Sequence, residues 1–594
     1  MMSRRYWRFV ASFALSCGAL VQGLWAQDSV EDAMGGLLTR LYATQSLSAL
    51  YAMNDARALE LITPEERHAF ATKHWYFDVD VPVVVSIMRN IEQRHIPFWL
   101  EEAGFAKTAL TVENMEGWIY EVWQKEFPAG RVELGINGFD NFRPHYFVCV
   151  GPQELGVKVT LSNFHPANQT VLTMQKGAMT YHDWTELVLT KVPKALRGQQ
   201  LLPTIRGRGS EAALVGSFRR TPYPSSIQAG PVFLTWSQDP RHTQTVQWRT
   251  STSVQDGIVK YRVKGSGADF AQVEAACSMM EDRMLANDRY CHWFSAVVPD
   301  LTPDTTYEYQ VGSPSLNVWS AVGEFQTAPD GNQPFSFFYC SDTHSSKYWS
   351  RLLNANFQRH PDTRFCVISG DLVGTGMERE DWDLFLKYGE GMFRTRPVMP
   401  AIGNHDAQLG LGAGMYLDIF GLPEDGPTGL KPECAYTFTY SNAQFFMLDV
   451  MSEAEPQRIW LEQELAKSTA VWKIAIFHFP LYSNEESYPH LEKAWGTLFD
   501  TYHVDLVLTG HVHTHMRTYP MRAGKRVASP REGTVYITSV SIPSYPAGKR
   551  KPNFAEVWTG GGWLCNRIEI DGAKLTFNAL DKDGISKDSF TLTK

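Results

Sequence analysis

The chain has few cysteines, no excess of basic residues and only one long apolar run, and each shortage removes a class of protein. Eight cysteines in 594 residues are too few and too dispersed for a disulfide-scaffolded fold. Cys277 and Cys291 are the best-placed pair for a bridge, with two separate buried thiols as the alternative. Lys and Arg number 55 against 64 Asp and Glu, a formal net charge of −9, which argues against a nonspecific nucleic-acid binder. No nucleic acid is expected as a stable partner. No apolar run comparable to Phe9–Trp25 follows it, so no membrane span is expected beyond that point. What is present is a globular composition: 44% hydrophobic, 20% charged and 13% aromatic residues exclude a mainly disordered, collagen-like or coiled-coil chain. At about 100 to 200 residues per domain, the length predicts three or four domains.

Residues 1–26 read as an export signal, because Arg4, Arg5 and Arg8 precede the apolar run, which ends at Ala26 before polar Gln27-Asp28-Ser29. Ser3-Arg4-Arg5 resembles a twin-arginine signal, and Cys17 after Ser16 offers a weaker lipoprotein reading. Cleavage removes three arginines and no acids, leaving 52 basic against 64 acidic residues and a net charge of −12. The mature protein is expected to be periplasmic, secreted or on the cell surface. An uncleaved anchor is the alternative.

Residues 27–130 show apolar positions at helical spacing, in Glu31–Ala43 and Pro82–Glu92 for example, and predict a helical N-terminal region. Residues 131–220 change to short β-like runs such as Tyr146–Val150, Val157–Leu161 and Glu186–Leu189, which predict a small β domain. Thr221–Ser226 is a plausible linker. After it Val232–Trp236, Thr243–Arg249 and Ile258–Val263 alternate as strands do, so residues 221–329 are expected to form a β-sandwich. Within it, Leu301–Val311 resembles the late strand of a fibronectin type III domain, where a tyrosine hydroxyl ties down the entry to the strand. From 330 to 594 apolar strands (Phe335–Cys340, Phe365–Ser369, Val398–Ile402, Phe445–Leu448, Trp472–Phe477, Val504–Leu508) alternate with helical runs such as Pro456–Lys467 and His490–Tyr502. The whole predicts a multi-domain protein ending in an α/β domain with sheet cores covered on both faces. Hairpins at Asp571-Gly572 and Asp583-Gly584 close its tail.

Metal-ligand residue types stand at the carboxyl ends of those strands: Asp342-Thr343-His344, Gly370-Asp371, Gly403-Asn404-His405-Asp406, His478, and Gly510-His511-Val512-His513. Open α/β sheets build their sites at that end. In extended chain, residues i and i+2 face the same way, so Asp342 sits beside His344 and His511 beside His513. Imidazole, carboxylate and amide oxygen suit borderline or hard ions such as Zn, Mn and Fe, and there are more ligands than one tetrahedral ion needs. Two ions are implied, with Asp371 placed to bridge them. Such a pair lowers the pKa of a bridging water to about 7 and stabilises charge developing on a phosphoryl group, the chemistry of a hydrolase.

The motifs, in this order, resemble the calcineurin-like metallophosphoesterase superfamily. Ala435–Tyr440, Phe445–Asp449, Met516–Pro520 and the preceding fibronectin-like module resemble its purple acid phosphatase branch. The likeness covers about residues 222 to 594. It implies two divalent or trivalent ions, one held by Asp342, His344, Asp371 and His513, the other by Asp371, Asn404, His478 and His511. It also implies that His405 protonates the leaving oxygen or stabilises the transition state, that Asp406 orients the His405 ring, and that a metal hydroxide attacks in line without a phosphoenzyme. Purple acid phosphatases carry a tyrosinate ligand where this chain has Gly374, and glycine where His344 stands. The ferric-tyrosinate colour is therefore not expected, and the metal is left open among Mn, Zn and Fe.

The expected function is an exported dinuclear phosphoesterase acting on phosphomonoesters. A phosphodiesterase acting on nucleotides or lipid head groups is the enzyme alternative, since one metal core serves both bonds. A cell-surface binding protein with an inert phosphoesterase domain is the other, and the complete ligand set counts against it. His515, Arg517 and Tyr519, and Tyr482 and Ser483, are weaker candidates for the phosphate pocket. The 18 tryptophans are read as core and interdomain packing. Residues 27–218 are read as a scaffold, with docking over the catalytic cleft as the alternative.

Overall fold

The computed structural model describes residues 29–594 apart from 155, 484, 545–550 and 560. The export signal read from residues 1–26 lies outside the described residues. Four helices open the described chain. Ser29 caps the first, Val30–Thr44, by accepting the Asp32 N–H at 3.0 Å. Its buried residues Val30, Ala33, Met34, Leu37, Leu38 and Leu41 recur every three or four positions, the spacing that turns one face to a core. A reciprocal Thr63–Glu66 capping box starts the helix Pro64–Thr72.

From Trp75 onward the N-terminal region is β, which corrects the helical reading of Pro82–Glu92. Val83–Asn90 is a strand inside an eight-stranded sheet, flanked by Ile119–Phe127 and Phe147–Pro152. It is buried almost throughout. A strand covered on both faces loses the period-two alternation that marks a half-exposed one, so its apolar run mimics a buried helix. The expected boundary at residue 130 also fails. Trp75–Val79 pairs with Gly130–Leu134 on one side and Leu161–His165 on the other, so residues on both sides of 130 share their sheets and one apolar core.

Residues 232–326 form a sandwich of a four-stranded and a five-stranded antiparallel sheet. The Tyr307 hydroxyl accepts the Thr302 N–H at 2.9 Å. Cys277 and Cys291 are free thiols. Their strands are neighbours, but the register sets Cys277 opposite Phe294 and Cys291 opposite Met280, so no bridge forms, and of the two separate thiols only Cys291 is buried.

The last domain stacks two mixed sheets. One carries the parallel strands Phe335–Cys340, Cys366–Ser369 and Val398–Ala401; the other carries Ala443–Met447, Trp472–Ile476, Leu506–Thr509 and Val535–Thr538. One core runs through this domain and into the sandwich. There the Trp236 ring lies 5.3 Å from Phe365 and 5.8 Å from Phe438, and a buried Arg249–Asp383 ion pair joins the two domains. The N-terminal region is fastened to both. Tyr42 donates to the Arg283 carbonyl at 2.7 Å, Arg219 pairs with Asp282 and Glu380, and the turn Arg206–Ser210 packs on Gln408–Gly410. No helix among the described residues is long and apolar enough to cross a membrane.

Candidate metal centre

Each motif follows directly on a parallel strand. Asp342 comes after Phe335–Cys340, Asp371 after Cys366–Ser369, Asn404 after Val398–Ala401, His478 after Trp472–Ile476 and His511 after Leu506–Thr509. The first three belong to one sheet and the last two to the other, so the stacked sheets deliver their carboxyl ends to one place. The chain turns sharply there. Asp342, His344, Asp371 and His511 all have positive φ, between 44° and 68°, a region non-glycine residues rarely occupy and which concentrates at functional sites. Gly403 has a different reason for being glycine. A Cβ there would lie 2.2 Å from Asp371 Oδ1, so only glycine lets the Asn404 loop close on that carboxylate.

Three sets of side chains converge: Asp342, His344 and His513; His344, Asp371 and His405; and Asp371, His478 and His511, each with its ligand atoms within 4.8 Å of one another. Asp371 Oδ2 is central, 3.2 Å from His478 Nε2, 3.8 Å from His344 Nε2 and 3.9 Å from His405 Nε2. Asp342 Oδ1 lies 3.3 Å from His513 Nε2 and 3.9 Å from His344 Nε2. The other carboxylate oxygens fix the loops: Asp371 Oδ1 accepts the His405 N–H at 3.0 Å and Asp342 Oδ2 the His511 N–H at 2.9 Å. His478 Nδ1 sits 2.9 Å from the Ser369 carbonyl, which can only accept, so Nδ1 carries a proton and Nε2 is the nitrogen turned to the centre.

The donor set fits metal ions. Asp342 Oδ1, His344 Nε2, Asn404 Oδ1 and His478 Nε2 are buried and make no hydrogen bond. Each such orphan costs about 1–3 kcal/mol, and a shared cation satisfies them together. The electrostatics agree. Burial pushes Asp342 up, but the facing His513 ring and the His478 charge pull it down to about 2. Burial pulls His478 down, but Asp371 outweighs it and raises the imidazole to about 9. The carboxylates hold their negative charge and draw positive charge to the site.

One expected role is corrected. Asp406 does not touch the His405 ring. Its Oδ1 accepts the N–H groups of Leu372 and Val373 at 2.9 and 3.2 Å, and its Oδ2 that of Gly403 at 2.9 Å. Three backbone donors saturate the carboxylate as a clasp between the Asp371 and Asn404 loops. The ring is held instead by the Gly374 carbonyl, 2.6 Å from His405 Nδ1. Asp406→Ala strands three buried N–H groups and is expected to destabilise the protein by at least about 3 kcal/mol, read as a lowered denaturant midpoint. Wild-type stability in that variant would return Asp406 to the ring-orienting role.

The weaker pocket candidates have structural employment. His515 and Arg517 are buried against Asp588 of the final strand, at 3.3 and 2.9 Å. Tyr482 packs edge-on against Tyr536, Tyr519 lies under Arg526, and Ser483 accepts the Glu485 N–H. Two neighbours of the centre carry no sequence motif. Glu486 Oε2 lies 2.7 Å from His511 Nε2, and the charge of Arg143, from the N-terminal region, acts on Asp371 and His405.

Fold and site together describe a two-sheet α/β domain with a cluster of metal-ligand residue types at its strand ends, behind a β-sandwich. Residues 335–515 match the calcineurin-like phosphoesterase family and residues 230–327 the purple acid phosphatase N-terminal domain. The chain carries both. An uncharacterized protein of Mycobacterium tuberculosis is 26% identical over 338 residues, 49% of this chain and 63% of its own length. A probable purple acid phosphatase of Arabidopsis thaliana is 26% identical over 290 residues, 46% of this chain and 65% of its own. The chain thus spans a little under two thirds of these relatives. A purple acid phosphatase from yellow lupin (Lupinus luteus) seeds shares the fold, with a TM-score of 0.55 at 14% identity, covering 88% of this chain and 93% of that one.

Proposed function

We propose that this protein is an exported, metal-dependent hydrolase that cleaves phosphomonoesters. The observation that carries the reading is the convergence of Asp342, His344, Asp371, His478, His511 and His513 from two sheets, with the facing atoms of Asp342, His344, Asn404 and His478 left without hydrogen bonds. One ion is assigned to Asp342, His344, Asp371 and His513, and the other to Asp371, Asn404, His478 and His511. Ions of the Mn, Zn or Fe type supply Lewis acidity there, acidifying water and taking up phosphoryl charge. The chain's own groups do the rest. Asp342 and Asp371 use their second oxygens to lock the loops, and the Gly374 carbonyl fixes His405 so that Nε2 faces the centre and passes a proton to the departing oxygen. The preference for monoesters is supported by the phosphatase name of the Arabidopsis relative. Export is supported by the leader-like residues 1–26.

The test is hydrolysis of p-nitrophenyl phosphate beside bis-p-nitrophenyl phosphate by the purified mature protein, after chelation and after adding back Mn, Zn or Fe. Chelation is expected to abolish turnover, one of the metals to restore it, and the monoester to turn over faster. Faster turnover of the bis-ester would make the protein a phosphodiesterase. Inertness with every metal, while metal still binds, would overturn the hydrolase reading.

A further inference from the structure

The N-terminal region reaches the catalytic domain through three stacked segments. The first is the loop 137–146, held by the Asn137 amide, which donates to the carbonyls of Phe142 and Pro144 at 3.3 Å, and by the Asn141 N–H on the Val215 carbonyl at 3.0 Å. The second is the turn Arg206–Ser210. A Cβ on its Gly209 would lie 2.5 Å from the carbonyl oxygens of both Phe142 and Arg143, so loop and turn touch backbone to backbone. The third is Gln408–Gly410, where a Cβ on Gly410 would meet the Ile205 side chain at 2.9 Å. This segment continues from His405, whose carbonyl accepts the Gln408 N–H. The stack thus sets the Arg143 backbone against the turn that packs on the segment following His405.

The arginines along this stack are employed differently. Arg206 is buried on Asp183, Nε to Oδ2 at 2.7 Å, with its guanidinium 4.2 Å from the Trp184 ring centre. Arg208 is buried too, donating to the His74 carbonyl and lying 5.1 Å from the Trp75 ring centre. The Arg143 side chain has no hydrogen bond or ion pair among the described residues. It is open to water, yet protein surrounds it enough for desolvation, followed by the Arg206 charge, to pull its guanidinium below the ordinary value, and Asp371 is among the charges it feels. Burial most of all, then the His344 charge and last the Arg143 charge, favour neutral His405, against Asp371 and the Gly374 hydrogen bond, which favour the charged ring. An exposed guanidinium on the stack that packs against the His405 segment, with no carboxylate paired to it and its charge felt at Asp371 and His405, is a ready donor for a planar, bidentate grip on phosphate oxygens.

We propose that Arg143 is a substrate-binding residue supplied by the N-terminal region, gripping the anionic oxygens of a phosphoester at the metal centre and favouring the dianionic monoester over the monoanionic diester. The inference rests on the phosphoesterase reading and deepens it. It makes the site composite, so that residues 27–218 are part of the enzyme's specificity and not only its scaffold.

The test uses the full-length, metal-loaded protein and the variants Arg143→Ala and Arg143→Lys, with p-nitrophenyl phosphate, its bis-ester, and inorganic phosphate as probes. Arg143→Ala is expected to raise KM for the monoester and the dissociation constant of inorganic phosphate by about tenfold or more. Expected alongside are a kcat within about threefold, a smaller change for the bis-ester, unchanged metal content and melting, and partial recovery in Arg143→Lys. Phosphate binding is measured by calorimetry, independently of turnover. If wild type hydrolyses the monoester while KM and phosphate affinity in Arg143→Ala stay within about twofold of it, the inference is overturned and the hydrolase reading stands. If wild type is inert but phosphate binding weakens in Arg143→Ala, the hydrolase reading falls and Arg143 keeps its anion-binding role.

Discussion

Asp371→Asn is expected to empty the site of metal and to lower phosphoester hydrolysis by more than about a hundredfold, with the fold retained. Asp371 Oδ1 is committed to the His405 N–H, and Oδ2 faces the imidazole nitrogens of His478, His344 and His405. The asparagine oxygen keeps the first contact, so the amide NH2 group is left facing the imidazoles. A donor then stands where an acceptor was, and the negative charge that His478 and His344 share is gone. The backbone changes little, because the Gly403 loop and the Asp406 clasp are untouched. The checks are metal content by elemental analysis, circular dichroism, and turnover of p-nitrophenyl phosphate. Full metal content and wild-type turnover would show that Asp371 is not the shared ligand.

The parts of this arrangement visible in the sequence are those written into local geometry. A glycine before Asp371, Asn404 and His511, a two-residue spacing in Asp342-Thr343-His344 and His511-Val512-His513, and a position just past an apolar run specify tight turns at strand ends. What was hidden falls into two kinds. Val83–Asn90 was misread because burial on both faces erases the period that separates strand from helix. The holder of His405 was misassigned to its neighbour Asp406 because the true partner is a backbone carbonyl, that of Gly374, and every residue has one. Arg143 leaves no local trace either. Its placement depends on contacts between segments 66 and 205 positions apart, Arg143 with Gly209 and Ile205 with Gly410, and no periodicity in these stretches encodes them. Sequence adjacency suggested which residues form the centre; the tertiary packing decides what holds and surrounds them.

His405→Ala is expected to separate substrates by their leaving groups. The ring stands with Nδ1–H on the Gly374 carbonyl and Nε2 toward the centre, its edge against His344 with ring centres 4.7 Å apart. A general acid placed there speeds the departure of a basic alkoxide, and its loss costs about 10²–10⁴ in rate for such a group. Nitrophenolate leaves without protonation, so the same variant is expected to lose less than about tenfold on p-nitrophenyl phosphate. Comparing kcat for an alkyl phosphate and for p-nitrophenyl phosphate, in wild type and His405→Ala, isolates the proton from the charge. Equal losses on both would assign His405 to stabilising phosphoryl charge, since that stabilisation acts on the group common to the two substrates. No loss on either would remove it from the chemistry and leave its bond to Gly374 as a structural tie. The metal content of the variant is measured in parallel, because His405 Nε2 lies within ligand distance of His344 and Asp371. A drop in bound metal would lower both substrates together, so only a difference between the two leaving groups at full metal occupancy counts as evidence for proton transfer.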